Sequence, residues 1–147
     1  MISAVTNLYG VVGNPIEHSL SPLLHNTLAK EMGLDMVYVA FNVREDIESA
    51  IDGAFALGIK GMNVTIPYKQ DMLELVTKID ERAQRIGAVN TLVRDEEGFI
   101  GYNTDITGLR LALKNNDLSV MGKNVIILGA GGAAKAALYL AIAGGAL

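Results

Sequence analysis

No cysteine occurs among the 147 residues, which excludes disulfides and every zinc site built on thiolates. A basic run is also missing. Twelve Lys and Arg stand against sixteen Asp and Glu, a net charge of −4, which is not the electrostatic footprint of a nucleic-acid binder. A small anionic ligand stays open, because a site needs only local charge. No uninterrupted run of about 18 apolar residues occurs, so a membrane-spanning helix is not expected. The first residues, Met1 to Asn7, have neither the basic start nor the long apolar stretch of a secretory signal. Repeats and low-complexity segments are missing as well. The two histidines, His18 and His25, have a helix start between them and no third ligand nearby, so no metal centre is expected. What remains is a cytoplasmic protein of one domain, or one domain plus a piece. Half of its residues are apolar, enough for a core.

The chain reads as alternating strands and helices. Leu8–Gly13 is a glycine-bounded apolar strand, and Asn14-Pro15 turns the chain. Ser21 before Pro22 predicts a helix start, with the serine hydroxyl as cap and proline in the first turn. That helix runs to about Met32, where Gly33 stops it. Val37–Val43 is rich in β-branched and aromatic residues and reads as a second strand. Ile47, Ile51, Ala54 and Phe55 have helical spacing between Asp46 and Leu57. Gly61–Ile66 predicts a third strand, followed by helices over Lys69–Val76 and Asp80–Ile86. Thr91–Arg94 and Phe99–Tyr102 flank Asp95-Glu96-Glu97-Gly98, a hairpin signal. A helix of about ten residues carries Ile106, Leu109, Leu111 and Leu113. This is an α/β pattern with a mostly parallel sheet flanked by helices.

A boundary is expected between Asn115 and Lys123, giving a first domain over 1–117 and an incomplete unit over 118–147. Asn124–Leu128 contains Val-Ile-Ile-Leu, as a strand covered on both faces should. It runs into Gly129-Ala130-Gly131-Gly132-Ala133-Ala134, and an alanine-rich helix follows to about Ala143. Strand, glycine loop and helix are the context of a dinucleotide site. Gly129 would allow the tight turn, Gly131 the approach of backbone to a pyrophosphate, and Ala134 close helix packing. The helix start would offer unpaired N–H groups to phosphate.

Asn63-Val64-Thr65-Ile66-Pro67-Tyr68-Lys69 is the most informative stretch. Asn63 and Thr65 share one strand face, and Pro67 forces the chain out of the sheet. An amide, a hydroxyl and a lysine then meet at one strand end, either as a small polar site or as solvated strand-end residues. Ser19 is a hydroxyl with no evident structural task, whereas Ser21 has one as the cap. Asn90-Thr91 and Asn103-Thr104-Asp105 are further polar clusters, the latter also suited to capping.

Taken together, Gly13–Pro22 with His25-Asn26, Asn63–Lys69, Gly87-Ala88-Val89-Asn90-Thr91, and Gly101-Tyr102-Asn103-Thr104-Asp105 followed by Gly108 resemble the signatures of shikimate dehydrogenases. The Gly129–Ala134 run resembles the cofactor loop of the same family, and the five blocks stand in family order over nearly the whole chain. The resemblance implies reversible, NADP-dependent oxidation of shikimate to 3-dehydroshikimate, in aromatic amino-acid biosynthesis, with no metal. It implies that Ser19 and Ser21 hold the substrate carboxylate, and that Asn63, Thr65, Asn90 and Asp105 bind ring hydroxyls. Lys69 is then the catalytic lysine with Asp105 beside it, and Gly129, Ala130, Gly131, Gly132 and Ala133 contact the cofactor. At neutral pH an unperturbed lysine is a donor rather than a base, and a neighbouring carboxylate reinforces that. Lys69 is therefore expected to polarise the reacting oxygen and pass its proton, with Asp105 orienting it.

Family enzymes carry a full nucleotide domain after the substrate domain, so the resemblance also implies a truncated chain. Such a chain is expected to bind shikimate while turning over poorly or not at all. An apolar strand at 124–128 without a neighbour is a pairing hazard, so self-association or homodimerisation through the C-terminal unit is expected. The same residues leave open a quinate/shikimate dehydrogenase and a non-catalytic binding module for polyhydroxylated carboxylates.

Overall fold

The computed structural model describes residues 2–147. The chain begins with β1 (Asn7–Gly13), crosses through α1 (Ser21–Glu31) to β2 (Met36–Asn42), and returns through α2 (Ile47–Ala56) to β3 (Gly61–Val64). After α3 (Met72–Leu75) come β4 (Lys78–Ile79), α4 (Glu81–Ile86) and the hairpin of β5 (Thr91–Arg94) and β6 (Phe99–Tyr102). Helices α5 (Asp105–Asn115) and α6 (Gly132–Ala143) complete the described elements. The sheet order is β2-β1-β3-β5-β6-β4. Strand β1 lies parallel to β2 and β3, β4 lies parallel to β6, and β5 is antiparallel to β3 and β6. This is the expected α/β class.

Val12 on β1 sits opposite Phe41 on β2 and Val64 on β3, and it is fully buried with Met72, Val89, Leu92 and Phe99 in the main core. Helix α2 starts where Asp46 accepts the Ser49 N–H. Helix α4 starts at Asp80, whose carboxylate accepts from Arg82 and Ala83, and stops at Gly87 with φ 72°. β1 feeds β2 on one side while β3 lies on the other. The carboxyl ends of β1 and β3 therefore flank the point where connections diverge, the usual ligand crevice of α/β sheets.

Four expectations change. Strand β3 ends at Val64, not Ile66. Thr65 still donates its N–H to Val12, but the chain then turns, Tyr68 N–H bonding to the Thr65 carbonyl. The helix expected over Lys69–Val76 shrinks to α3, because Val76 is already extended and Thr77 donates to the Phe99 carbonyl. The sheet edge then captures the next two residues, Lys78 and Ile79, as β4. Ser21 is not the side-chain cap of α1. Leu20 occupies the N-cap position without a side-chain bond, and Ser19 Oγ accepts the Ser21 N–H instead, at 3.3 Å.

The largest change concerns the strand expected over Asn124–Leu128, the first strand of the incomplete dinucleotide unit. These residues join no ladder, and Ile126 and Leu128 are 87% and 93% exposed. A strand needs a partner for its backbone groups, and no neighbouring strand is offered here. Helix α6 nevertheless has a seat. Ala136 packs with Ile86, Ala88 and Ile106, flanked by Tyr139 and Leu140, in a second core cluster between α4, α5 and α6. Among the described residues no helix is long and apolar enough to cross a membrane.

Candidate active site

The turn after β1, the start of α1, the end of β3 and the start of α5 converge on one cavity of about 340 Å³. Ser19, Ser21, Asn63, Thr65, Lys69, Asn90 and Asp105 all line it, with Val11, Pro15, Ile16, His18 and Val64. Every substrate-contact residue read from the sequence is thus in one place. A larger cavity of about 570 Å³ lies between α4, α5 and α6. It contains none of these residues, and the smaller one is the candidate because polar groups of several kinds meet there.

Each wall has a structural cause. Gly13 lets β1 and the end of β3 approach closely, since a Cβ there would lie 2.4 Å from the Thr65 methyl and 3.0 Å from the Ile66 carbonyl oxygen. The Thr65 methyl is turned into that contact, and its hydroxyl makes no hydrogen bond among the described residues. The Ser21 hydroxyl also has no partner there, because the expected capping bond is not made. The roles of the two serines are the reverse of the sequence reading: Ser19 has the structural task and Ser21 is free.

Lys69 Nζ donates to Asp105 Oδ2 at 2.6 Å, with side chains 16% and 28% exposed. The other carboxylate oxygen accepts from Asn90 Nδ2 at 2.8 Å. Asn90 is buried and its second N–H goes to Thr104 Oγ1 at 2.9 Å. Its Oδ1 accepts from the Thr91 hydroxyl and the Thr104 backbone, both at 2.9 Å. Its backbone accepts from Val64 and donates to the Tyr102 carbonyl. Asn90 is therefore a bracket that ties β3, β6 and α5 together and aims Asp105 at Lys69. Asp105 opens α5 as its first helical residue, while Asn103 Oδ1 accepts the Ile106 N–H at 3.4 Å. The capping duty falls to Asn103, and the Asp105 carboxylate is left for the cavity.

The sequence marks Thr91 and Thr104 only as members of polar clusters, with no site role, and does not single out Tyr38. Thr91 and Thr104 act through Asn90, and Tyr38 donates its hydroxyl to Asn63 Oδ1 at 2.7 Å. Their only sequence signal is adjacency to residues already chosen, and for Tyr38 there is none.

Gly129, Ala130, Gly131, Gly132 and Ala133 form an exposed loop and the first turn of α6. Gly129 has φ 123°, which favours glycine. Helix α6 has no side-chain cap, so its first N–H groups stay open toward an anion. A Cβ on Gly132 would lie 2.9 Å from Lys69 Cδ and 3.1 Å from Lys69 Cβ, so the loop abuts the lysine. Lys135 Nζ holds this arrangement by donating to Gln70 Oε1 at 2.6 Å and to the Gly87 carbonyl at 3.2 Å. Free N–H donors and small residues beside the lysine fit the phosphates of a dinucleotide.

Comparison with known proteins agrees with this geometry. Residues 11–92 match the family model of the shikimate dehydrogenase substrate binding domain. The shikimate dehydrogenase (NADP(+)) of Pyrococcus furiosus is 48% identical over 139 residues, 95% of this chain and 51% of that protein. The shikimate dehydrogenase structure from Aquifex aeolicus is 43% identical with a TM-score of 0.94, covering 99% of this chain and 55% of its own. The enzyme of Thermus thermophilus, solved with NADP(H) and shikimate, is 33% identical with a TM-score of 0.85, covering 95% of this chain and 53% of its own. The chain thus spans about half the length of the relatives it matches. With more than half of its residues inside the family model and its fold shared throughout, the chain belongs to the shikimate dehydrogenase substrate-binding domain family.

Proposed function

We propose that this chain binds shikimate and 3-dehydroshikimate and supplies the proton-handling groups for their NADP-dependent interconversion. The observation that carries the reading is the convergence of two serines, Asn63, Thr65 and the Lys69–Asp105 pair on one cavity in a member of this family. Ser19 and Ser21 hold the carboxylate, the free Ser21 hydroxyl making the stronger contact. Asn63, Thr65 and Asp105 meet ring hydroxyls, and Asn90 acts mainly by aiming Asp105. Oxidation of a carbinol breaks a C–H bond as hydride and an O–H bond as proton. NADP⁺, when bound, takes the hydride. In reduction the Lys69 side chain gives its proton to the carbonyl oxygen as the hydride arrives, and in oxidation the neutral amine takes the hydroxyl proton back, with Asp105 holding the lysine in place. Gly129, Ala130, Gly131, Gly132 and Ala133 are the positions that would hold the cofactor phosphates. The reading includes a cytoplasmic location, in keeping with a chain free of cysteine. It also includes self-association through the exposed apolar residues of 124–128.

A calorimetric titration tests the reading. Shikimate should bind saturably at one site, and cyclohexene carboxylate, which lacks the ring hydroxyls, should not. Sites built to bond a hydroxyl reject analogues lacking it by about 10⁴ or more, because buried partners are left unpaired. Equal binding of both ligands would rule out a polyol site.

A further inference from the structure

Tyr38 lies behind the cavity wall and is 4% exposed. Several contacts fix it. Its N–H donates to Asn26 Oδ1 at 2.9 Å, and its carbonyl accepts from Asn26 Nδ2 at 2.8 Å. This two-point amide covers backbone groups of β2, an edge strand, where open groups invite foreign pairing. The ring stacks on His25 with centroids 4.2 Å apart and planes 12° from parallel, and it packs with Val11 and Ile16. Two successive residues of α1 thus clamp one residue of β2. The phenol bond to Asn63 Oδ1 is the polar link from this clamp to the cavity, beside the apolar contacts with Val11 and Ile16, which also line it.

That bond holds the Asn63 amide in the orientation that its other partners set. The orientation of an asparagine is read from its partners. Asn63 Nδ2 lies 3.5 Å from the Asn90 carbonyl oxygen and 3.4 Å from Thr91 Oγ1. A carbonyl oxygen only accepts, so the nitrogen belongs on that side and the oxygen on the side of Tyr38. The Asn63 oxygen is engaged by a short bond at 2.7 Å while the N–H contacts within the protein are long, at 3.4 and 3.5 Å, so an N–H is what this side chain most readily offers the cavity it lines.

We propose that Tyr38 is a positioning residue that holds Asn63 as an obligate hydrogen-bond donor, so that the ligand oxygen at this point of the site must accept. This rests on the proposed function for the identity of the ligand. Burial pushes the Tyr38 phenol up to about 12, so it keeps its proton, and its role as donor, throughout the neutral range. The clamp also fixes α1, which carries Ser21, relative to β3, which carries Asn63, so carboxylate and hydroxyl contacts keep one spacing.

The test joins a double-mutant cycle to NMR of the Asn63 side-chain amide in the free protein. Tyr38→Phe should weaken shikimate binding about tenfold, the scale of one lost hydrogen bond. Asn63→Ala should weaken it more, and the double variant should bind no worse than Asn63→Ala alone. Asn63→Asp, which replaces the donor by an acceptor, should lose at least as much as Asn63→Ala. In Tyr38→Phe the two Asn63 amide protons should shift toward the values of a freely turning amide. Multiplicative losses, or unchanged amide signals, would overturn the proposal. If the wild-type chain binds no shikimate but Tyr38→Phe still frees the amide, the ligand assignment fails and the positioning role stands. If Tyr38→Phe does not fold, the wild-type chain decides: a slowly exchanging Tyr38 hydroxyl proton close to the Asn63 amide supports the role, and its absence overturns it.

Discussion

Lys69 is held from two directions. Asp105 fixes its ammonium at 2.6 Å, and Gly132 leaves room for its stem. Gly132→Ala would place a methyl 2.9 Å from Lys69 Cδ, closer than carbon contacts allow, so the lysine stem or the glycine loop must shift, and a shift of the stem loosens the pair with Asp105. Shikimate affinity should fall several-fold with little change in melting temperature, since the loop itself is exposed. An unchanged affinity would show that the loop does not set the lysine. Where turnover is measured, Lys69→Ala should lower kcat by about 10²–10⁴, the usual worth of an acid–base group, and a loss under tenfold would remove Lys69 from proton transfer. Tyr38 gives a prediction in pH. Its folded-state value of about 12 lies above the ordinary 10.0, so the folded state holds this proton more tightly than the unfolded one. The stability this contributes is intact below about pH 10 and is lost as pH rises from 10 to 12. Denaturant midpoints across that window should show the loss in the wild type and less of it in Tyr38→Phe.

Elements with local signals were readable from sequence. Helix α4 carries its aspartate cap and its left-handed glycine stop in the chain itself, and the hairpin β5–β6 has the predicted ends. Asp80→Ala removes two accepted N–H bonds and should lower unfolding free energy by about 1 kcal/mol, measured by denaturant melts. Elements that depend on distant partners were not readable. Strand β4 exists because Lys78 and Ile79 pair with Ile100 and Gly101 of β6, a pairing with no local signature. The apolar run at 124–128 looks like a strand by composition yet has no neighbour to pair with. The Ser21 cap failed for a different reason: α1 begins one residue earlier, with Leu20 at the N-cap position and Leu24 donating to its carbonyl, so Ser21 is already inside the first turn. All seven candidate positions that line the cavity could be chosen because residue type and the family resemblance pointed alike, whereas the contact made by Tyr38 needed the fold. Hydrogen exchange tests the element account. Amides of β1 and β3 should be protected, and those of residues 124–130 should exchange at near-random-coil rates. Protection at 124–128 would mean that a strand forms.

At the scale of the molecule, two apolar clusters carry the sheet and the last helix, while a third holds Tyr38 with Val11 and Ile16. The main core holds the sheet and α2, and the second seats α6 on α4 and α5. What joins these two is polar: the Asn90 bracket, the Lys69–Asp105 pair and the Lys135 contacts to Gln70 and Gly87. The candidate site therefore sits at the seam between the clusters. Ile126 and Leu128 remain exposed, as do Leu138 and Ile142, and exposed apolar residues of this size favour association. Sedimentation should show concentration-dependent self-association, relieved by Ile126→Lys with Leu128→Lys, and a wild-type monomer at high concentration would contradict this. The central claim is that the cavity seats a polyhydroxylated carboxylate with its reacting oxygen at Lys69. A crystal structure of the chain with shikimate tests it most directly. The account predicts the carboxylate on the Ser19–Ser21 side, a ring oxygen accepting from Asn63, and another ring oxygen within hydrogen-bond distance of Lys69 Nζ and Asp105. Shikimate bound with its carboxylate on Lys69, or outside this cavity, would contradict it.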